Sequence, residues 1–218
     1  MNNRISIINY GINNINSLKM AIDSVGFEAL ITSDYKEIDN SDKIILPGVG
    51  SFENGMKNLK KISIIDSLKK AYLANKGILA ICLGMQMLLS HSSEFGNFNG
   101  LNLIDGSVKK IPGSENKIKK RKIPHVGWNT IYLNQSCKST YNKMLEEHQK
   151  NNDYFYFTHS YYALPKNQNN IISYSNYDDF NFPSIITSKN LLACQFHPEK
   201  SGVAGLNLIK KFLEKKDD

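Results

Sequence analysis

A five-residue run without a polar side chain, Gly77 to Ile81, constrains the fold of this 218-residue chain more than any other segment. A short apolar run of this kind predicts a buried strand. The run ends on Cys82, and Gly84 then permits a tight turn before the helix formers of residues 85–89. The sequence therefore predicts a strand-to-helix elbow with Cys82 at the turn.

Apolar segments alternate with amphipathic ones on both sides of this elbow. Strands are predicted at residues 4–8, 27–31, 43–46 and 77–81, and helices at 52–60 and 65–75 and around the apolar face of Leu18, Ala21, Ile22 and Val25. Helical crossovers of this type connect parallel strands. After about residue 100 the predicted strands are shorter (128–133, 154–157, 171–174 and 185–187) and mixed or antiparallel, and a helix at 202–215 closes the chain. We therefore expect one α/β domain over residues 1–218: an open, mostly parallel sheet flanked by helices, with additional antiparallel strands in the second half.

The composition limits the cellular compartments in which this chain is expected. The chain has no apolar span of 18 residues and no signal-like start, so we expect a cytoplasmic protein without a membrane partner. Its three cysteines, 82, 137 and 194, have no metal-ligand spacing, and their odd number favours reduced thiols. No metal and no cofactor is expected.

The formal charge of +7 and the basic run at residues 117–122 raise the question of nucleic acid. That run contains no aromatic residue for base stacking and belongs to no recognised module. A solvated loop is the favoured interpretation, and a basic rim facing an acidic partner or a phosphorylated substrate is the alternative. We expect no nucleic-acid partner.

Cys82 alone would more often be a buried core residue, because a free thiol packs well in an apolar interior. A second motif, Phe196-His197-Pro198-Glu199, favours catalysis instead. Proline makes His197 extended, so the side chains at 197 and 199 project to the same side. Glu199 can then orient the imidazole while its other nitrogen exchanges a proton with Cys82, which lies where a helix dipole favours an anion.

These two motifs resemble those of the class I (triad) glutamine amidotransferases. Leu46-Pro47-Gly48-Val49-Gly50-Ser51-Phe52 resembles the oxyanion strand of one branch of that family, the glutaminase subunits of imidazole glycerol phosphate synthases. Three further segments agree in order along nearly the whole chain: Asn9-Tyr10-Gly11, Pro124-His125-Val126-Gly127-Trp128-Asn129 and Tyr156-Phe157-Thr158-His159-Ser160-Tyr161-Tyr162.

The resemblance implies a flavodoxin-like class I amidotransferase fold and assigns roles to individual residues. Cys82, His197 and Glu199 would be catalytic. Backbone N–H groups of Leu83 and of Val49 or Gly50 would stabilise the oxyanion, and the flexible loop that carries Gly50 would be reoriented by a loaded partner. The substrate, L-glutamine, would be bound by Gly50, Gln86, Glu94, Ser160 and Tyr161. His159 is expected to be structural, because the catalytic triad already has its histidine.

The resemblance also implies a partner and a pathway. The partner would be the cyclase subunit, HisF, a (β/α)8 barrel that forms a heterodimer with the glutaminase and receives its ammonia through a channel. Asn14, His125, Trp128 and Tyr156 would lie at the interface. The cyclase would make imidazole glycerol phosphate and AICAR in histidine biosynthesis.

Two alternatives remain open on the sequence. A paralogous glutaminase could supply ammonia to a sugar amidotransferase in surface-glycan synthesis, or the fold could serve as a non-catalytic binding or regulatory protein. The chain also departs from the family pattern, with Ala80 in place of glycine before the nucleophile and with Asn9 and Asn13 in the first loop. We expect the elbow to tolerate the small side chain of Ala80, and we expect the loop changes to bear on partner choice.

Overall fold

A computed structural model gives the fold for residues 4–113 and 121–216. Of the predicted basic run, residues 117–120 lie outside these ranges. The strands are β1 (Ile5–Ile8), β2 (Ala29–Thr32), β3 (Lys43–Leu46), β4 (Gly77–Ile81), β5 (Leu89–Ser92), β6 (Phe98–Asn99), β7 (Ile104–Lys110), β8 (His125–Asn129), β9 (Tyr132–Leu133), β10 (Phe155–His159), β11 (Tyr161–Pro165), β12 (Ile171–Tyr177), β13 (Phe180–Ser188) and β14 (Leu191–Cys194). The helices are α1 (Ile15–Ser24), α2 (Tyr35–Asp39), α3 (Phe52–Lys61), α4 (Ile65–Leu73), α5 (Leu83–Met87), α6 (Asn142–Lys150) and α7 (Gly202–Glu214).

The main sheet has eight strands in the order β2-β1-β3-β4-β14-β13-β12-β9. The first five strands of this order are parallel. The last three continue the sheet in antiparallel fashion. The predicted fold class, a mostly parallel sheet with antiparallel strands in the second half, is confirmed.

Both faces of the parallel region are buried. Along β4, Leu79 and Ile81 face a core built with α1 and α7, whereas Ile78 and Ala80 face a second core built with α3 and α4. Successive side chains of a strand point to opposite faces, so an uninterrupted apolar run needs helices on both. The elbow at Cys82 therefore projects from the most deeply buried part of the molecule.

Two smaller sheets complete the fold. One has four strands in the order β11-β7-β5-β6, and the other is the two-stranded ribbon of β8 and β10. The predicted continuous strand at 128–133 is wrong: β8 ends at Asn129 and joins the ribbon, whereas β9 pairs with β12 in the main sheet. Within the ranges given above, no helix is long and apolar enough to cross a membrane.

Candidate active site

Cys82 lies between β4 and α5 in a backbone conformation that non-glycine residues seldom adopt, with φ 52° and ψ −108°. Its N–H donates to the Cys194 carbonyl at 2.8 Å, which extends the pairing of β4 with β14. A strained residue of this kind persists only when the surrounding structure holds it. The elbow therefore presents the sulfur at the carboxyl edge of the sheet, where ligands of open α/β folds bind.

Two glycines allow the neighbouring strand β3 and the loop after it to approach this elbow. A Cβ atom on Gly84 would lie 2.1 Å from the Leu46 carbonyl oxygen, and one on Gly48 would lie 2.3 Å from the Gly84 nitrogen. No real side chain fits at such distances, so the loop at 47–50 packs directly on the turn after Cys82. Ala80 is paired in register with Leu46 and Ala193, and the elbow forms with alanine at that position.

The histidine and the carboxylate of the C-terminal motif are hydrogen-bonded. His197 Nδ1 and Glu199 Oε1 are 2.8 Å apart, and the side chains are 1% and 0% exposed, respectively. Asn14 Nδ2 donates to the same Glu199 oxygen at 3.1 Å. The carboxylate thus orients the ring, and the loop before α1 holds the carboxylate.

His197 shares the pocket with Cys82. Burial alone would lower the pKa of His197, but the charge of Cys82 and hydrogen-bonding contacts with Cys82 and Glu199 raise it to about 10. Its Nε2 atom is buried and makes no hydrogen bond of standard geometry to a described residue. Catalytic hydrogen bonds are often loose before substrate binds, so this arrangement suits a base that acts on the sulfur.

The pocket beside these groups has a volume of about 330 Å³. This is at the small end of ligand sites and suits a ligand of amino-acid size. Its lining includes all the residues predicted to bind the substrate or the oxyanion: Val49, Gly50, Leu83, Gln86, Glu94, Ser160 and Tyr161. It also includes Pro124, Thr158 and His159, which were not predicted to bind substrate.

Glu94 connects this pocket to the oxyanion loop. Its Oε2 accepts the N–H of Phe52, the first residue of α3, at 2.6 Å. Burial raises the pKa of Glu94, and the hydrogen bond from Phe52 opposes that rise. The Glu94 carboxylate can therefore contact both a positively charged group of a bound ligand and the segment that follows Gly50.

The four residues predicted at a partner interface have different surroundings. Trp128 is 55% exposed and packs edge-on against Tyr156 across the ribbon. His125 is buried, its ring stacked 4.0 Å from that of Tyr177, and Asn14 is directed at Glu199. The exposed face of the ribbon is therefore the part of this set that can meet another protein directly.

The ribbon is also bonded to the C-terminal motif. His197 N donates to the Tyr156 carbonyl at 2.9 Å. Tyr156 N donates to Ser201 Oγ at 3.0 Å, and that hydroxyl donates to the His197 carbonyl at 2.6 Å. Both the backbone N–H and the backbone carbonyl of Tyr156 are thus hydrogen-bonded to the turn that carries His197.

Sequence reasoning missed the polar groups that support the site from behind. Tyr10 donates its hydroxyl to the Pro47 carbonyl at 2.7 Å, and burial raises the pKa of that phenol. Gln195 reaches the Cys82 sulfur. Its position between the apolar strand β14 and His197 was a usable signal, since a polar residue beside an apolar strand needs a buried partner.

The doubly covered sheet, the nucleophile elbow and the Cys-His-Glu arrangement together define a class I glutamine amidotransferase. In the described part of the chain, no group of three or more His, Cys, Asp or Glu side chains is placed to hold a metal ion.

Comparison with known proteins agrees. The family glutamine amidotransferase class-I matches residues 1–216. Imidazole glycerol phosphate synthase subunit HisH 2 of Methanococcus maripaludis is 42% identical over 96% of this chain and 98% of its own length. HisH 1 of Legionella pneumophila (strain Paris) is 38% identical with the same coverage. The chain therefore belongs to the HisH family of class I glutamine amidotransferases.

A solved structure supports the fold. The structure of PurLQS from Thermotoga maritima superposes with a TM-score of 0.70 at 18% identity, covering 98% of both chains.

Proposed function

We propose that this chain is the glutaminase subunit of an imidazole glycerol phosphate synthase and acts in histidine biosynthesis. The observation that carries the proposal is a buried Cys82–His197–Glu199 arrangement in a chain 38–42% identical to HisH subunits over 96% of its length. The amidotransferase unit comprises residues 1–218 as one domain, and its biosynthetic relatives support a cytoplasmic location.

The first step is attack of the Cys82 thiolate on the side-chain amide carbon of glutamine. The carbon–sulfur bond forms as the carbonyl electron pair moves to oxygen. The resulting oxyanion needs preorganised donors, each of which typically lowers the barrier by about 3 kcal/mol. Leu83 is the first residue of α5, where backbone N–H groups have no partner within the helix. Its N–H and that of Val49 or Gly50 are the donors.

The tetrahedral adduct then collapses and expels ammonia. His197 supplies the proton for the leaving nitrogen, and the thioester carbonyl re-forms. The imidazole next takes a proton from water, whose oxygen attacks the thioester. Cleavage of the carbon–sulfur bond releases glutamate and returns the thiolate. Glu199 stabilises the imidazolium at both steps without exchanging a proton itself.

Recognition of glutamine uses the charged ends of the amino acid. Glu94 faces the α-ammonium group, and the Gln86 carboxamide and the segment Ser160–Tyr161 offer neutral polar partners. The residues that bind glutamine thus come from the loop after β5, from α5 and from the start of β11.

The partner is the cyclase subunit HisF, a (β/α)8 barrel that forms a heterodimer with this chain and receives ammonia through a channel. The exposed ribbon face at Trp128 and Tyr156 supports this role, because aromatic side chains commonly anchor interfaces. Asn14 and His125 act behind that face rather than on it.

The test is glutamate release from glutamine by the purified chain, alone and with the cyclase of the same genome loaded with its nucleotide ligand. Cys82→Ala serves as the blank. We expect strong stimulation by the loaded cyclase that disappears in Cys82→Ala. Activity that depends on Cys82 but is not stimulated would contradict the histidine pathway and favour a sugar amidotransferase, and absence of activity in both conditions would contradict glutaminase function.

A further inference from the structure

We propose that Gln195 is a positioning residue for the nucleophile: its side-chain amide donates an N–H to the Cys82 sulfur from the buried side, in an orientation fixed by Gln86 and the Tyr161 carbonyl. The effect on glutamine turnover rests on the proposed function. The effect on the sulfur does not.

Gln195 Nε2 lies 3.6 Å from the Cys82 sulfur, a hydrogen-bonding distance for this larger acceptor. The residue is 0% exposed and is not part of the pocket lining, so it reaches the sulfur from behind. Its backbone N–H donates to the Ser184 carbonyl at 2.9 Å, which fixes the main chain to β13. A buried amide in a rigid segment is a preorganised donor.

The direction of this hydrogen bond follows from a neighbouring group of known polarity. A backbone carbonyl can only accept, so Gln86 must turn its Nε2 toward the Tyr161 oxygen, 2.9 Å away. The same Nε2 has a second hydrogen, which is donated to Gln195 Oε1 at 3.1 Å. With its oxygen engaged, Gln195 can present only its NH2 group to the sulfur.

This donor favours the thiolate over the thiol, because a hydrogen bond to an ionised acceptor is stronger than one to a neutral acceptor. It also restrains the sulfur without occupying the space needed by glutamine. Cys82 is thereby held between His197 on the pocket side and the amide of Gln195 on the buried side.

The test is the pH dependence of alkylation by iodoacetamide, measured on the Cys82 peptide in the full chain without glutamine or cyclase. Gln195→Met keeps the length of the side chain and removes the donor. We expect the midpoint pH of alkylation to rise by about one unit relative to the wild type. We also expect kcat for glutamine to fall with little change in KM.

Ser173→Ala is the matched control, because it removes a buried hydrogen bond, 2.8 Å long to Ser184, from the same sheet without facing the sulfur. An unchanged midpoint in Gln195→Met, or an equal rise in Ser173→Ala, overturns the proposal. If Gln195→Met does not fold, Gln86→Met decides, since it frees the amide orientation: a smaller rise supports the proposal and no rise overturns it. If Cys82 of the wild-type chain is alkylated at a lower midpoint pH than in Gln195→Met but the chain releases no glutamate, the proposed function is wrong and the proposal for Gln195 stands.

Discussion

One oxygen of the Glu199 carboxylate, Oε1, is hydrogen-bonded to both His197 and Asn14. The other oxygen, Oε2, is buried without a hydrogen-bond partner in the described structure. A buried charge with so few partners is costly unless a cation faces it. Imidazolium is the cation available, so the carboxylate and the raised pKa of His197 depend on each other. Changes at either neighbour of Glu199 should therefore be measurable in catalysis.

Glu199→Gln removes this charge while preserving shape. We expect kcat for glutamate release to fall at least about a hundredfold, because the ring loses both its orientation and its stabilised imidazolium form. The pKa of His197 should drop below its value of about 10, so the imidazolium loses its proton at lower pH. A pH–rate profile checks both effects, and Glu146→Gln, on the exposed side of α6, is the control. An unchanged profile in Glu199→Gln would contradict the assignment.

Asn14 separates hydrogen bonding from charge at the same oxygen. Asn14→Ala should lower kcat about tenfold, the effect of losing one hydrogen bond to an ionised group. Asn14→Asp should lower it further, since two carboxylates then compete for one site. Asn13→Asp, at an exposed neighbour, should behave as wild type in the same kinetic assay. Wild-type rates for both variants at position 14 would show that the contact has no catalytic consequence.

At this scale the sequence predicts the reacting groups but not their supports. Cys82, His197 and Glu199 stand in motifs whose spacing carries chemical meaning. Gln195 could have been noticed as a polar residue at the end of an apolar strand. The hydrogen bonds of Asn14 to Glu199 and of Tyr10 to Pro47 join residues far apart in the chain, and pairings of that kind leave no local pattern. Only the three-dimensional arrangement reveals them.

Among the elements, the elbow and the loop after β3 behave as one packed unit. Gly84→Ala would place a Cβ atom 2.1 Å from the Leu46 oxygen, and we expect a loss of at least about 2 kcal/mol in the free energy of unfolding. Gly113→Ala, with open space around the added atom, is the matched control and should be nearly neutral. Urea unfolding of both variants tests this, and similar stabilities would contradict the close packing.

The ribbon of β8 and β10 offers a second test at this scale. Trp128→Ala should leave the stability of the isolated chain within about 0.5 kcal/mol, because the indole is 55% exposed. It should weaken cyclase binding by about 2 kcal/mol, roughly thirtyfold in Kd. Calorimetric titration measures this, with Tyr35→Ala on α2, another exposed aromatic, as the control. Equal affinities for wild type and Trp128→Ala would exclude this face as the interface.

A helix or strand is predicted correctly where its hydrophobic pattern fits only one type of element. The strand at residues 77–81 and the start of the helix at Phe52 are as predicted, since an apolar run or an amphipathic face leaves little choice. The helix formers at 85–89 were misleading: α5 ends at Met87 and β5 begins at Leu89. A short apolar segment fits either structure, and here pairing with β7 decides.

The molecule as a whole should become less stable in mild acid. Burial lowers the pKa of His125 to about 4 and that of His159 to about 3, and His125 Nδ1 lies 3.0 Å from His159 Nε2. Between those values and the ordinary pKa of about 6.5, the unfolded chain binds protons that the folded chain excludes. The contribution of these two histidines to stability is therefore complete above about pH 6.5 and is lost progressively as the pH falls toward 4.

Urea unfolding at pH 7.5 and at pH 5.0 tests this expectation. His125→Phe keeps an aromatic ring in the stack with Tyr177 and removes one of the groups that must stay neutral. The drop in unfolding free energy between the two pH values should be smaller in this variant than in the wild type. His91→Phe, at an exposed position of β5, should show the wild-type drop. The same drop in His125→Phe would mean that other groups govern the acid response.

Tyr156 holds His197 in two ways: it accepts a hydrogen bond from the His197 N–H, and it is linked to the His197 carbonyl through the Ser201 hydroxyl. The backbone of His197 is hydrogen-bonded to β10, on the inner side of the ribbon. The outer side chains of the ribbon form part of the molecular surface. We expect a small shift of β10 to change the aim of the His197 ring at the sulfur. We therefore expect that a contact made on the outer surface of the ribbon changes the rate of proton transfer without touching the substrate.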